Sequence, residues 1–386
     1  MTWGYGTSFA VYQLYYQQIF HLPSFQIAWI GSAQLFLYFV TGVITGPLAD
    51  AGYTTELFLG GSLASCFGMF ATSLSTKYWQ IMLAQGICTG LGGGFMFMPA
   101  VANVAKSVKQ NLTLAMSLSA CGSSVGAIVF SVILQNLVPR VGFPWAVRGS
   151  AFVALSMCIV GNLLLRPKKL QLEKRPLIDW KAFKSPNFLV FTAASFLIWF
   201  AVFTLLFYIN SFARIRIGLS EMESNNFFLI TNALAFVARP MSGIIADRYI
   251  GAINTFSFTS LVLGLASFGW IGVQSRASMY VFSCALGFVN GAAQGVFPAA
   301  SSSLADDVTK TGSWLGNIYA VCGFATLAGP PTMGAIINAC GGDYTWAQAC
   351  FGLILIFGSL ISLLAALIVG KSRREVTKWT KFFYRV

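Results

Sequence analysis

The chain alternates long apolar runs with short polar breaks. Each run has about the length, roughly 20 residues, that a helix needs to cross ~30 Å of hydrocarbon. The pattern predicts twelve spans, over residues 1–20, 26–49, 54–75, 79–102, 112–135, 145–165, 187–212, 225–246, 252–274, 278–301, 313–337 and 346–369. Backbone polar groups in lipid find no water, so segments of this kind satisfy them internally as helices. The first span reads as shortened, because the chain opens inside what looks like the second half of its helix. The longest polar stretch, "RPKKLQLEKRPLIDWKAFKSP" over 166–186, separates six spans from six. The expected fold class is an all-α polytopic membrane protein made of two homologous six-helix bundles, residues 1–165 and 187–369. A basic cytoplasmic linker, 166–186, joins them, and a basic cytoplasmic tail, 370–386, follows.

Composition agrees. Hydrophobic residues make up 56% of the chain and charged ones 9%, against roughly 25% charged in soluble domains. The net charge of +13 might suggest nucleic acid, but the basic residues fall between spans and in the tail. With the central linker inside, the inner loops and tail carry 17 Lys/Arg and the outer loops six, Lys77, Arg140, Arg148, Arg214, Arg216 and Arg276. That asymmetry places both termini in the cytoplasm. The eight cysteines are scattered, mostly within spans, with no CxxC and no metal-ligand spacing, and His21 is the single histidine. "GLGGGF" at 90–95 lies inside a span and follows no strand, so it is no nucleotide loop. No catalytic residue, metal or cofactor is expected.

The two halves repeat. "GPLAD" closes the second span at Asp50, and "GIIAD" closes the eighth at Asp247, 197 positions later. Gly86, Gly90 and Gly94 step along the fourth span, and Gly287, Gly291 and Gly295 step along the tenth at an offset of 201, each ladder followed by a proline. "ACG" at 120–122 and "VCG" at 321–323 keep that offset. Duplicated bundles with a mid-membrane site between them are a transporter architecture. The ladders, with Gly122 and Gly126, are small-xxx-small faces for close helix packing that also permit movement. Pro330 and Pro331 in "AGPP" predict a bend in the eleventh span.

Several stretches carry a family resemblance: "YGTSFAVYQLYY", "ACGSSVGAIVF", "VGFPWAVR", "ARPMSGIIADR" and "GPPTMGAIINACGGDYTW". Together they resemble the major facilitator superfamily, and within it the fungal members of the monocarboxylate-porter-like family. The resemblance implies alternating access, gating aspartates, a monomer, and an arginine in the eighth span. It also exposes departures. Better-known monocarboxylate transporters place an Asp one turn before that arginine, where this chain has Ala235, and often a Lys in the first span, which is missing here. The loop after Asp50 lacks the usual basic residue.

Arg239 is therefore the sharpest signal. Mid-bilayer arginine costs roughly 2.5–3.5 kcal/mol on insertion scales. All eleven acids lie in loops or at span ends, so none is placed to neutralise it. An unpaired guanidinium beside a wet cavity invites a carboxylate or enolate; otherwise it bonds backbone carbonyls at a helix interface. Asn232, Tyr12, Tyr15, Gln34, Gln85, Gln294 and Asn317 are the other candidate substrate contacts, each of them alternatively an interhelical bond. Asp50, Asp247 and Arg248 are the candidate gating residues, with Arg248 as the expected partner of Asp247. The expected function is movement of a small organic, acidic, partly hydrophobic solute across the bilayer, with efflux of a secondary metabolite slightly preferred. Import of a carboxylate or vitamin-like solute, or a non-transporting sensor, are the alternatives. A plasma or vacuolar membrane fits, the former preferred; nucleic acid is not an expected partner.

Overall fold

The computed structural model describes residues 2–108, 110–165, 180, 182–305 and 311–383. Most of the basic linker expected over 166–186 lies outside the described residues. Among those described, every regular element is a helix. In chain order these are α1 (Thr2–Thr7), α2 (Phe9–Phe20), α3 (Ser24–Val40), α4 (Gly42–Asp50), α5 (Thr54–Leu74), α6 (Tyr78–Ile81) and α7 (Thr89–Ser107). They continue with α8 (Leu112–Leu164), α9 (Pro186–Ile215), α10 (Glu221–Ile245), α11 (Ala252–Ile271), α12 (Arg276–Ser302), α13 (Thr311–Ala339) and α14 (Thr345–Phe383). π-helical turns join α6 to α7 and extend α10 through Ile250.

Ten described helical segments are long and apolar enough to cross a membrane, against the twelve expected. Two local features account for the difference. The fifth and sixth predicted spans run together as the 53-residue α8, which is interrupted only at Gly142 (φ 79°). A Cβ on Gly149 would stand 3.8 Å from both Ile133 and Leu137. Residues twelve apart on a straight helix are separated by ~18 Å, so the chain reverses at that glycine. The first span is split into α1 and α2. Around the break, Thr7 Oγ1 donates to the Trp3 and Gly4 carbonyls (3.1 Å each) and Ser8 Oγ to the Tyr5 carbonyl (2.7 Å). Hydroxyls that bond backward in this way compete with the helical ladder.

Small residues set the helix approaches. Gly86, Gly90 and Gly94 pack α7 and the π-turn before it against α3, with Gln34 and Leu37 just above them. Gly287 and Gly291 press α12 onto Thr231 and Ala235 of α10, and Gly295 lies against Arg239. Gly126 meets Gly4 of α1. Gly122 departs from this pattern: a Cβ there would meet nothing within 4 Å. Pro330 and Pro331 lie inside a continuous α13, and the Pro330 carbonyl accepts from the Tyr208 hydroxyl at 3.0 Å. Across the molecule α13 lies along α3, α4 and α9, while α10 lies along α8 and α12.

Candidate binding site

Arg239 projects from α10 and is buried, 3% exposed. Its Nη1 donates to the Ala120 carbonyl at 2.5 Å, to Ser124 Oγ at 2.8 Å and to Ser123 Oγ, all on α8. Its Nη2 donates to Gln294 Oε1 at 3.2 Å, and that oxygen also accepts from Trp3 Nε1 at 3.4 Å. The buried Nε–H finds no acceptor among the described residues. No carboxylate pairs with the guanidinium among the described residues. One turn earlier, Ala235 packs on Gly291, where a Cβ on that glycine would come within 2.6 Å of the Ala235 Cβ, so α10 and α12 meet here only because residue 291 has none.

Arg239 and Gln294 line a cavity of about 270 Å³ that touches α1, α5, α7, α8, α9, α10, α12 and α13. Its walls are aromatic. Trp3 stacks on Phe97 at 4.7 Å and meets Trp199 edge-on at 5.9 Å, and Tyr319 lies 5.6 Å from Phe97. Ser119, Ser123 and Gly122 complete the polar side, so Gly122 faces open cavity instead of a helix. An arginine fork on one side and apolar rings on the other suit an anion with an aromatic or aliphatic body.

The other candidate contacts fall elsewhere. Gln34 donates to the Tyr38 hydroxyl at 2.8 Å, Gln85 accepts from Tyr16 at 2.5 Å, and Asn232 donates to the Phe228 carbonyl one turn back at 2.9 Å. Tyr12 is buried in a ring cluster with Tyr5, Tyr16 and Phe143. Asn317 is buried in α13. Tyr15 lines a second cavity of about 300 Å³ with Gln18, Gln135, Glu221 and Asn225. The α8 serines and the aromatic walls were not singled out from sequence. "GSSVG" belongs to a family stretch, but nothing in its spacing says that its hydroxyls face an arginine more than 100 positions away.

The candidate gating aspartates both reach the first turn of a distant helix. Asp50 is buried and accepts from the Gly312 and Ser313 amides of α13 (3.2 and 2.9 Å) and from Ser313 Oγ (3.0 Å). The basic partner missing from its own loop comes from α7, where Lys106 Nζ stands 2.6 Å away. Asp247 accepts from the Thr113 and Leu114 amides of α8 (3.2 and 2.8 Å). This corrects the expected pairing with Arg248. Adjacent residues on a helical turn point in different directions, and no ion pair joins these two among the described residues. Both carboxylates use free N-terminal amides, where the helix dipole favours negative charge.

The two contacts differ in weight. Asp50→Ala leaves Lys106 (13% exposed) without its partner, and breaking a buried pair costs about 3–5 kcal/mol. Asp247→Ala removes an exposed cap worth about 1 kcal/mol. Thermal unfolding of the purified protein in detergent should therefore fall markedly for the first and by only a few degrees for the second. Equal losses would contradict this reading of the two contacts.

The sequence profile of the Major Facilitator Superfamily matches residues 1–306. The chain belongs to the Major Facilitator Superfamily. This facilitator is 35% identical to an MFS-type transporter of Gibberella zeae over 93% of its own length and 81% of that protein. It is 34% identical to the aspyridones efflux protein of Emericella nidulans (97% of this chain, 77% of that one). It is 32% identical to the agnestins efflux protein of Paecilomyces divaricatus (94% and 84%). Its fold is shared with the human organic anion transporter MFSD10, at a TM-score of 0.72 and 14% identity. The same holds for the transporter FucP in its outward conformation, at 0.69 and 13%; each alignment covers 94% of this chain and 97% of the other. The facilitator is a transporter that moves a small solute through the membrane.

Proposed function

We propose that this facilitator exports an acidic, partly hydrophobic secondary metabolite by alternating access, with Arg239 as its anchor. One observation carries the reading. A buried guanidinium with no carboxylate partner among the described residues lines an aromatic cavity. The fork suits a carboxylate or an enolised acid, and the rings suit the rest of the molecule. The relatives named as efflux proteins for aspyridones and agnestins support the direction and the substrate class.

The motion assigned to it separates two six-helix halves, residues 1–165 and 187–369, along the α4–α13 and α8–α10 contacts. Asp50 and Asp247 are the latches on the cytoplasmic face. The sequence offsets of 197 and 201 and the matching use of helix N-termini support this assignment. The positive-inside bias supports cytoplasmic termini, and the quoted motifs support the monocarboxylate-porter-like subfamily. A plasma-membrane monomer fits these features.

The deciding experiment is metabolite profiling of cells and medium with the intact gene, with a deletion, and with Arg239→Ala. Export predicts that one acidic metabolite accumulates in deletion cells and disappears from the medium. A compound left unused in the medium instead means import, and no change in either pool favours a sensor.

A further inference from the structure

A second chemical feature lies in the cavity wall, away from Arg239. Cys66 on α5, Met96 on α7 and Cys158 on the second limb of α8 form one buried cluster. The two cysteines, 92 positions apart in the chain, pack against one another in it. Met96 lies beside a polar relay: Asn162 Nδ2 donates to Ser62 Oγ at 3.0 Å, and Ser62 Oγ donates to the Phe58 carbonyl at 2.7 Å and stands 3.2 Å from Met96 Sδ. Asn162 Nδ2 also donates to the Cys158 carbonyl at 2.8 Å, which ties that relay to the cysteine's own turn. Cys158 and Met96 both line the 270 Å³ cavity, so the cluster has an approach from open space. Ordinary apolar packing does not need two thiols and a thioether gathered at one point of a cavity wall.

We propose that Cys66, Cys158 and Met96 form a binding site for a soft monovalent cation of the Cu(I) or Ag(I) type. Two thiols and a thioether are the donor set such cations select, whereas harder cations take oxygen or imidazole. No group of three His, Cys, Asp or Glu side chains gathers among the described residues, so the site offers nothing comparable to zinc or calcium. Each cysteine sulfur that coordinates gives up its proton to the cavity, since the thiolate is the ligand. The Asn162–Ser62 relay packs behind the sulfur atoms as the outer layer. A bound cation would join α5, α7 and α8 on one wall of the cavity. The assignment does not depend on the identity or direction of the transported solute.

The test uses the full chain, purified under reducing, oxygen-free conditions, and titrated with Cu(I) against a coloured Cu(I) chelator. The expected result is one equivalent per chain withheld from the chelator. Cys66→Ser and Cys158→Ser should each weaken retention by at least about tenfold, and Met96→Leu by a smaller factor. Cys340→Ser and Cys350→Ser, at exposed positions, should leave it unchanged. Monodispersity on size exclusion separates loss of the site from loss of the fold, and X-ray absorption of the bound copper should show sulfur neighbours only. The proposal is overturned if the intact protein yields all its copper to the chelator. It is equally overturned if the Cys66→Ser/Cys158→Ser double variant retains copper as the intact chain does, or if nitrogen or oxygen dominates the first shell.

Discussion

Arg239→Ala is expected to abolish transport while leaving the protein folded. Truncating one member of a buried, hydrogen-bonded charge pair costs about 2–5 kcal/mol, which is about 30-fold to several-thousandfold in affinity for an anionic solute. The fold should survive because three of the four acceptors keep another partner, and Ser124 Oγ alone loses its own among the described residues. Ser123 Oγ already donates to the Ala120 carbonyl at 2.8 Å, and Gln294 keeps its contact with Trp3. Arg239→Lys keeps the charge but loses the planar fork, so an intermediate loss of roughly tenfold is expected. Flux of the metabolite identified by profiling, measured in proteoliposomes, decides the matter. Wild-type flux in Arg239→Ala would leave the guanidinium as a helix-interface group only, bonded to α8 as the structure has it.

The arginine was legible in the sequence because charge in a bilayer-length run is costly and therefore conspicuous. Its surroundings were not. A serine in a membrane helix usually bonds back to its own turn, so "GSSVG" carries no mark of the helix its hydroxyls will face. The amides carry two readings for a related reason: Gln34, Gln85 and Asn232 each bond a tyrosine or their own helix, the packing alternative that any buried amide offers. Residue type alone cannot separate that outcome from a cavity contact. The apolar periodicity gave the helical class, yet the count differs where a single glycine reverses α8 and where two hydroxyls split the first span. Asp50 and Asp247 were visible as a repeat. Their partners are backbone amides, which every residue carries, so only the coordinates identify which helix starts they reach.

The glycine ladders on α7 and α12 were legible from their spacing, but a further glycine crossing, between α4 and α13, was not. In "GVITG" and "GSWLG", Gly42 and Gly46 of α4 meet Gly312 and Gly316 of α13 backbone to backbone. A Cβ on Gly316 would stand 2.8 Å from the Gly42 carbonyl carbon, and one on Gly312 would stand 2.8 Å from the Gly46 oxygen. No flexible side chain is there to yield, so even Gly316→Ala must push the two helices apart. The same crossing carries Asp50 onto the α13 amides. Overpacking of about 1–3 kcal/mol falls on the state in which these helices touch. It should favour the parted state by about 5- to 150-fold. In a Ser313→Cys background with the exposed Cys284, Cys340 and Cys350 replaced by serine, Gly316→Ala is expected to raise the labelling rate at position 313 by that order and to stall flux. Gly60→Ala, on α5 outside the cavity and meeting nothing within 4 Å, should keep flux within about twofold. If Gly316→Ala labels and transports like its parent, the α4–α13 crossing is static packing and the moving interface must lie along α8 and α10 instead.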